Sequence, residues 1–314
     1  MRSHPQDRQL AQVGPGPVGC DVGGTTVKLV RLRRGRVARR QEIPSRAAEP
    51  VGKPAADFVD RLCAALRDVS PAEPGKVAPL GVALPGFLDA RRRKVLHLSH
   101  LPELDGLPLA SRLERRLGRP VILDTDTNAG AVGEARLGAG RGAGRLLYVS
   151  LGTGLGAAFT VRGEPLRVSH HTVGQIAHLP IGEDGPRCSC GRRGCAEALL
   201  GAQGIVWRAG LGRRSSPRLL QERAEAGDPA ARAEWRQTGE LLGRLLNVLI
   251  PLLHPDVVVV GGGVARAADH FLPAAAAHLK RTLPRPLRSR AQLVPARLGV
   301  WAGAVGAALL AADA

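Results

Sequence analysis

Two hydrophobic periods run through this chain and interleave from one end to the other. In VGCDVGGTTVKLVRLRRGRVARRQEI (residues 18–43) apolar and β-branched residues flank a glycine pair, which predicts strand, tight turn, strand. From Pro54 onward Phe58, Leu62, Ala65, Leu66 and Val69 recur at helical spacing and predict an amphipathic helix. A Pro/Gly linker leads to APLGVALPGFLD, a buried strand stopped by its ALPG turn. Residues 95–109 have no period and read as a loop, and LASRLERRLG reads as a short helix closed by Gly118. PVILDTD is another buried strand, ending in Asp124 and Asp126 and running into a helix of small residues, NAGAVGEARLG. RLLYVSLGTGLGAAFTVRG, from Arg145, repeats strand, glycine–threonine turn, strand. Helices follow in CAEALLGAQGIVWRAG and PAARAEWRQTGELLGRLLNVLIPLLH, the second of which Pro251 should kink or end. PDVVVVGGGVA is a buried strand entering a triple glycine that opens a helix, AQLVPARLG a last strand and WAGAVGAALLAADA a final helix. Strands and helices alternate, so the chain is α/β. Residues 1–17, rich in Pro, Gly and Gln, read as a disordered tail.

The glycine turns carry the first candidate chemistry. Asp21, Gly23, Gly24, Thr25 and Thr26 form a turn whose backbone N–H groups and hydroxyls can approach a polyphosphate, and Asp21 at the strand end could hold Mg2+ through water. A Gly-Gly turn is also common as a purely structural feature. The second turn, with Gly152, Thr153 and Gly154, repeats its logic, so the pair suggests two similar half-domains facing one shared phosphate. Gly261, Gly262 and Gly263 stand at a strand-to-helix junction, a usual place for a nucleotide. Neither the P-loop pattern nor a GxGxxG dinucleotide fingerprint is present.

Three of the five cysteines lie within eight residues as CxCGxxGC. Cys188, Cys190 and Cys195 with His178 make a Cys3His set, the closed inventory of a structural zinc site, against the alternative of three free cysteines and an unrelated histidine. Cys20 and Cys63 are too scattered for a disulfide framework, which with the zinc set suggests a reducing cytoplasm. No signal peptide and no run long enough to cross a membrane is evident.

A net charge of +18 invites a nucleic-acid reading, but only five of the basic residues are lysine, the arginines are dispersed, and aromatics make up 3% of the chain. No helix-turn-helix pattern precedes the first strand, so no nucleic-acid partner is expected. Weak attraction for a phosphorylated ligand is the residual meaning of the charge.

DVGGTTVKL, LGTGLG and VVVVGGGVA, in that order, resemble the phosphate-1, phosphate-2 and adenosine segments of the actin-like ATPase superfamily. CSCGRRGCAE with the preceding histidine resembles the ROK family (repressor, open reading frame, kinase), and the resemblance covers roughly residues 18 to 314. It implies a two-domain actin-like ATPase, ribonuclease-H-like fold with ATP and sugar in an interdomain cleft. A small N-terminal domain, 18–123, would take back a C-terminal helix, 300–314; a larger domain, 124–299, would hold the zinc loop, 178–195. The kinase branch is implied, since the winged helix of the repressor branch is not seen, and with it a cytoplasmic homodimer.

On this resemblance Asp126 matches the catalytic aspartate in DTDTN, although a carboxylate there could instead cap the following helix. Glu197 matches a glutamate that binds sugar hydroxyls; His178 would ligate zinc with one ring nitrogen and face the sugar with the other. Three positions depart from the family pattern: Gln175 replaces a glutamate in GQIAH, Thr125 an asparagine in DTD, and His100 an asparagine in LSHLP. Each changes a donor or an acceptor where substrate would be touched. The expectation is an ATP-dependent, glucokinase-like kinase of a hexose or hexose-like substrate, acting at a primary hydroxyl. A kinase of a cyclitol or modified sugar, and a non-catalytic sugar-binding regulator, are the alternatives.

Overall fold

The computed structural model describes residues 16–45, 55–71, 77–98, 100–168, 175–212, 214–288 and 292–314. In chain order these form β1 (Val18–Val22), β2 (Thr26–Arg33), β3 (Arg36–Pro44), α1 (Ala55–Val69), β4 (Leu80–Leu84), β5 (Phe87–Leu88), β6 (Val95–His97), α2 (Leu109–Leu117), β7 (Val121–Thr125) and α3 (Asp126–Leu137). There follow β8 (Arg145–Leu151), β9 (Leu155–Val161), β10 (Glu164–Pro165), α4 (Ala196–Leu200), α5 (Ala202–Arg208), α6 (Pro217–Glu225), α7 (Pro229–Leu253), β11 (Val257–Gly261), α8 (Ala268–Thr282), α9 (Arg285–Arg288), β12 (Gln292–Pro295) and α10 (Ala302–Ala312).

The chain divides into two compact units. The described residues up to Gly133, with Arg167, Val168 and Trp301–Ala314, make the first; Glu134–Leu166 and 175–300 make the second. The boundary falls inside α3, after Gly133, and not at residue 124 as expected from the sequence, so Asp124 and Asp126 belong with the first sheet.

The first unit's sheet has the order β3-β2-β1-β4-β7, and the second's the order β10-β9-β8-β11-β12. In both, the first pairs are antiparallel hairpins and the last are parallel. The likeness between the two glycine–threonine turns therefore extends to whole sheets: each turn joins the middle strand to its antiparallel neighbour.

Parallel strands need both faces covered. In the first unit α1 supplies one cover: Phe58, Leu62, Leu66 and Val69 are buried with Val27, Leu29 and Val82. The other cover is α10, nearly all Ala, Gly, Val and Leu, lying on β1 and β4. Small residues on both sides let the backbones meet. A Cβ at Gly19 would stand 1.9 Å from the carbonyl oxygen of Ala304, and one at Gly81 1.9 Å from that of Ala307. In the second unit α7 and α8 pack together, with Trp235 fully buried and stacked on Phe271 at 5.8 Å between centroids.

Several details correct the expectations from sequence. The strand after the first turn is two strands, β2 and β3, turning at Arg34 and Gly35, both at positive φ. Residues 95–109 are less irregular than their pattern suggests. Val95–His97 pairs with β5, Pro102–Leu104 is a 3-10 turn, and Leu98, Leu101 and Leu104 are buried at the spacing of that turn. The helix from Cys195 breaks at Gly201 into α4 and α5, and α6 is an additional helix without a counterpart in the sequence pattern. Pro251 lies in the last turn of α7, which ends two residues later, with His254 in the left-handed region. The triple glycine opens a 3-10 turn, Val264–Ala267, before α8. Of the tail, residues 1–15 lie outside the described residues, while Pro17 accepts a hydrogen bond from Leu32 N at 3.0 Å.

The close approach of α10 predicts a steep cost for any side chain beneath it. Gly81→Ala should lose about 3 kcal/mol in urea unfolding, whereas Gly212→Ala, whose Cβ would meet nothing within 4 Å, should stay within about 0.5 kcal/mol.

Candidate active site

In the first unit the phosphate-1 turn follows directly from β1. Gly23 N donates to Thr26 O at 3.0 Å, closing the turn, and Gly24 and Thr25 are exposed at its tip. Two residues that carry no sequence signal hold it from behind. Ser45, buried at the end of β3, donates its hydroxyl to Gly23 O at 2.5 Å and its N–H to Thr25 O at 2.9 Å. Lys28, one strand position from Val27, donates to the Thr26 hydroxyl at 3.0 Å. The β2–β3 register, Thr26 opposite Pro44, brings Ser45 there and is not readable without the pairing. His100 is exposed, and its ring lies against the turn: a Cβ at Gly24 would be 3.2 Å from it.

Asp21 and Asp126 end β1 and begin α3 in the same unit. Burial pushes Asp21 up to about 7, with repulsion from Asp126 adding to the rise and Lys28 opposing it. Burial likewise pushes Asp126 up to about 6, against the N–H of Thr127, which donates to its Oδ1 at 2.8 Å. Asp21 is crowded from α10 as well, since a Cβ at Gly303 would fall 2.5 Å from its Oδ2.

The helix cap that competed with a catalytic role for Asp126 is supplied by Thr125. Its buried hydroxyl accepts from Asn128 N at 3.3 Å, the spacing of an N-cap. The Thr125 hydroxyl is thus buried and accepts the cap hydrogen bond, and Asp126 is released from that duty. Asp124, also buried, accepts from Thr125 N and Asn128 Nδ2, both at 2.8 Å, and from Arg92 and Arg167.

In the second unit Gly152 N donates to Gly154 O at 2.9 Å to close the phosphate-2 turn, with Thr153 exposed. The turn is fastened to α4 and α5: Ala202 N donates to Gly152 O at 2.8 Å, and Leu155 N donates to Glu197 Oε2 at 3.1 Å. Gly154 makes room for that carboxylate, which would be 2.6 Å from a Cβ there. Glu197 thus fastens the second glycine turn through one carboxylate oxygen. At the triple glycine, Gly262 has φ 84 and a Cβ would overlap the Leu151 backbone at 2.2 Å; Gly263 faces open space.

The four ligand atoms of His178, Cys188, Cys190 and Cys195 lie within 4.8 Å of one another. Cys188 Sγ is 3.5 Å from His178 Nδ1, and Cys190 Sγ is 3.5 Å from Cys195 Sγ. Zinc–sulfur bonds of about 2.3 Å at tetrahedral angles separate two thiolates by about 3.8 Å, so the set fits zinc. Nδ1 is the nitrogen turned to the sulfurs, which leaves Nε2 for another partner. Gly191 and Gly194, at φ 89 and 74, make the loop reversals, and Gly194 O accepts from Ile181 N at 2.9 Å. Gln175 is exposed just before the 3-10 turn, Ile176–His178, that carries the histidine.

Two sheets of one strand order, each with a glycine–threonine hairpin, define a protein of the actin-like ATPase fold. The chain belongs to the ROK family, whose model matches residues 17–314. It is 31% identical over 308 residues to a glucokinase of Halalkalibacterium halodurans, covering 92% of each chain. It is 30% identical to an N-acetyl-D-glucosamine kinase of Escherichia coli, covering 93% of this chain and 98% of that one. Among solved structures, a ROK family glucokinase from Streptomyces griseus in complex with glucose and AMPPNP superposes with a TM-score of 0.79 at 29% identity, over 95% and 99% of the two chains.

The raised carboxylates have a signed consequence. Both folded-state values lie above the ordinary 3.8, so the folded protein retains protons that the unfolded chain gives up. The stability tied to them is complete below about pH 4 and is lost as pH rises through 6 and 7. Asp126→Asn should therefore raise the ligand-free protein's stability at pH 8 by about 1–3 kcal/mol, read as a shift in urea midpoint, with little gain at pH 4. An unchanged midpoint at pH 8 would contradict the assignment.

Proposed function

We propose that this chain is an ATP-dependent kinase that transfers the γ-phosphoryl group to a primary hydroxyl of a hexose or hexose-like sugar, with Asp126 as the base. The observation that carries the reading is Asp126 itself: a carboxylate at a strand end, raised to about 6, free of the helix cap and electrostatically coupled to Asp21 at the phosphate-1 turn. Phosphoryl transfer asks chiefly for positioning and charge stabilisation. Asp126 orients the attacking hydroxyl and takes its proton as the bond to phosphorus forms. A base near 6 is better matched to neutral pH than an ordinary aspartate.

The turns at Gly23–Thr26 and Gly152–Gly154 offer backbone N–H groups and hydroxyls to the phosphates, and Gly261–Gly263 leaves room for the nucleoside. Asp21 is the residue to hold Mg2+, which arrives with ATP and supplies neutralising charge on its phosphates. Zinc held by His178, Cys188, Cys190 and Cys195 fixes the start of α4, so that Glu197 stays on Leu155 N and the second turn keeps its shape. Glu197, His178 through Nε2, Gln175 and His100 are the polar groups for the acceptor. Gln175 in place of a carboxylate removes a negative charge from that set. No described helix is long and apolar enough to cross a membrane. We read the protein as cytoplasmic, homodimeric like its family, and without a nucleic-acid partner.

Coupled ADP release across hexoses, N-acetylhexosamines and cyclitols tests the activity and separates the substrate classes. Turnover should require ATP and Mg2+, fall on the acid side with a midpoint near pH 6, and drop roughly 100-fold to 10,000-fold in Asp126→Ala. Absence of turnover on every acceptor, in protein that binds ATP, would favour a non-catalytic sugar binder. Metal analysis should find one zinc per chain. Cys190→Ser should lose it and raise KM for ATP, because the second phosphate turn hangs on α4. Activity and ATP affinity unchanged after zinc loss would refute that link.

A further inference from the structure

Asp124 stands at the C-terminal end of β7, two residues before the proposed base, and is almost completely buried. Its Oδ1 is satisfied by Thr125 N and Asn128 Nδ2. Its Oδ2 receives two guanidinium groups at once: Arg92 NH1 at 2.8 Å and Arg167 NH2. One carboxylate neutralises one of them. Two like charges drawn onto a single oxygen repel each other, and one positive charge is left over.

Both arginines are held in place. Arg92 lies in the β5–β6 connection at φ 52, a conformation that a residue other than glycine adopts at a cost. The connection is built to hold it: Asp89 Oδ1 accepts from Arg93 N at 2.6 Å and Lys94 N at 2.7 Å, and Arg92 N donates to Asp89 O at 2.8 Å. Its neighbour Arg93 is spent on Glu114. Arg167 comes from a distant part of the sequence but belongs with the first unit. Its Nε is buried without a hydrogen-bond partner. The side chains of Arg92 and Arg167 stay 31% and 26% exposed, so both remain open to a ligand although the carboxylate between them is not.

A guanidinium carries five donors in a planar fork suited to carboxylate and phosphate oxygens. Two of them held on one buried carboxylate, with donors to spare and a net positive charge, form a preset anion clamp. Asp124 and Asp126 are separated by at most about 7.6 Å between Cα atoms. A six-membered sugar presenting one hydroxyl to Asp126 can place a substituent from its far side beside the clamp. We propose that Arg92 and Arg167 are specificity-determining residues, and that the preferred acceptor is a hexose carrying an anionic substituent, a carboxylate or a phosphate. The inference rests on the reading of Asp126 as the base on the acceptor side. It also gives Gln175 a meaning, since a carboxylate in the acceptor set would repel such a substrate.

Two matched pairs test it with the zinc-loaded, full-length protein and ATP–Mg2+: N-acetylglucosamine against N-acetylmuramic acid, which adds a carboxylate, and glucose against glucose 1-phosphate, which adds a phosphate. In at least one pair the charged member should have a kcat/KM roughly tenfold or more above the neutral one, the worth of a charge-assisted hydrogen bond. The pair that responds tells carboxylate from phosphate. Arg167→Gln should reduce that charged-to-neutral ratio about tenfold or more, and Arg167→Lys should restore part of it. Preference for the neutral member in both pairs overturns the proposal and leaves the kinase reading standing, an outcome that does not depend on any variant folding. A ratio unmoved by both Arg167→Gln and Arg92→Gln, in variants that retain zinc and their melting temperature, overturns it too. No turnover of any of the four, in protein that phosphorylates another acceptor of the wider panel, overturns the proposal alone; the kinase reading falls only if every acceptor of that panel is inert as well.

Discussion

Desolvation of two half-buried carboxylates at strand ends, Asp21 on β1 and Asp126 just past β7, is the constraint around which the first unit is arranged. Burial is the largest cause of the rise at both, and repulsion from Asp126 adds to it at Asp21. The fold meets this with very few counter-charges. Lys28 acts on Asp21, the Thr127 N–H acts on Asp126, and α10 closes over Asp21 so tightly that only glycine fits at 303. A coupled pair of acids with a single lysine for counter-charge is costly in the ligand-free protein. On the proposed mechanism the cost would fall when a cation arrives with a nucleotide and when a substrate proton reaches Asp126. Stability is exchanged for charge that can be used at the moment of transfer.

The second unit solves a different problem with the same sheet. In the first unit the turn carries its own acid: Asp21 pairs with Lys28 across β1 and β2. In the second, Ser150 and Gly156 occupy the comparable place across β8 and β9, and the turn has no acid of its own. It borrows Glu197 from α4, whose position depends on Cys195 immediately before the helix. A loop of exposed arginines and glycines has little apolar area with which to hold a helix end, so a metal bound by the Cys3His set would do what a core does elsewhere. The metal set and the second phosphate turn are, in this sense, one construction.

Much of this is legible in the chain. The elements with clean periods, α1, β7, β8, β9 and β11, stand where the pattern places them, and so does Gly118 at φ 62 closing α2. The four Cys and His residues of the 178–195 loop do come together. What resists reading depends on pairing register and on contacts far apart in sequence. Leu98, Leu101 and Leu104 look like loop residues because a 3-10 turn and a three-residue strand leave no period to detect. Ser45 reaches the first turn only through the register of β3. Thr125 shows no cap signal in the sequence, because the helix start it caps is set by where β7 ends.

The arginines show the same limit from the other side. In a chain this rich in arginine, a high count says little about any single position, and dispersal of the charge speaks against a binding surface. Dispersal is silent, however, about a site. Two guanidinium groups are enough to change what a pocket accepts when a buried carboxylate fixes both, and nothing in the spacing of residues 92, 124 and 167 announces that they meet. Composition averages over the molecule, whereas selectivity is decided within a few ångströms of Asp126. On the proposed reading, Gln175 and the arginine pair on Asp124 would both leave the acceptor site with less negative charge.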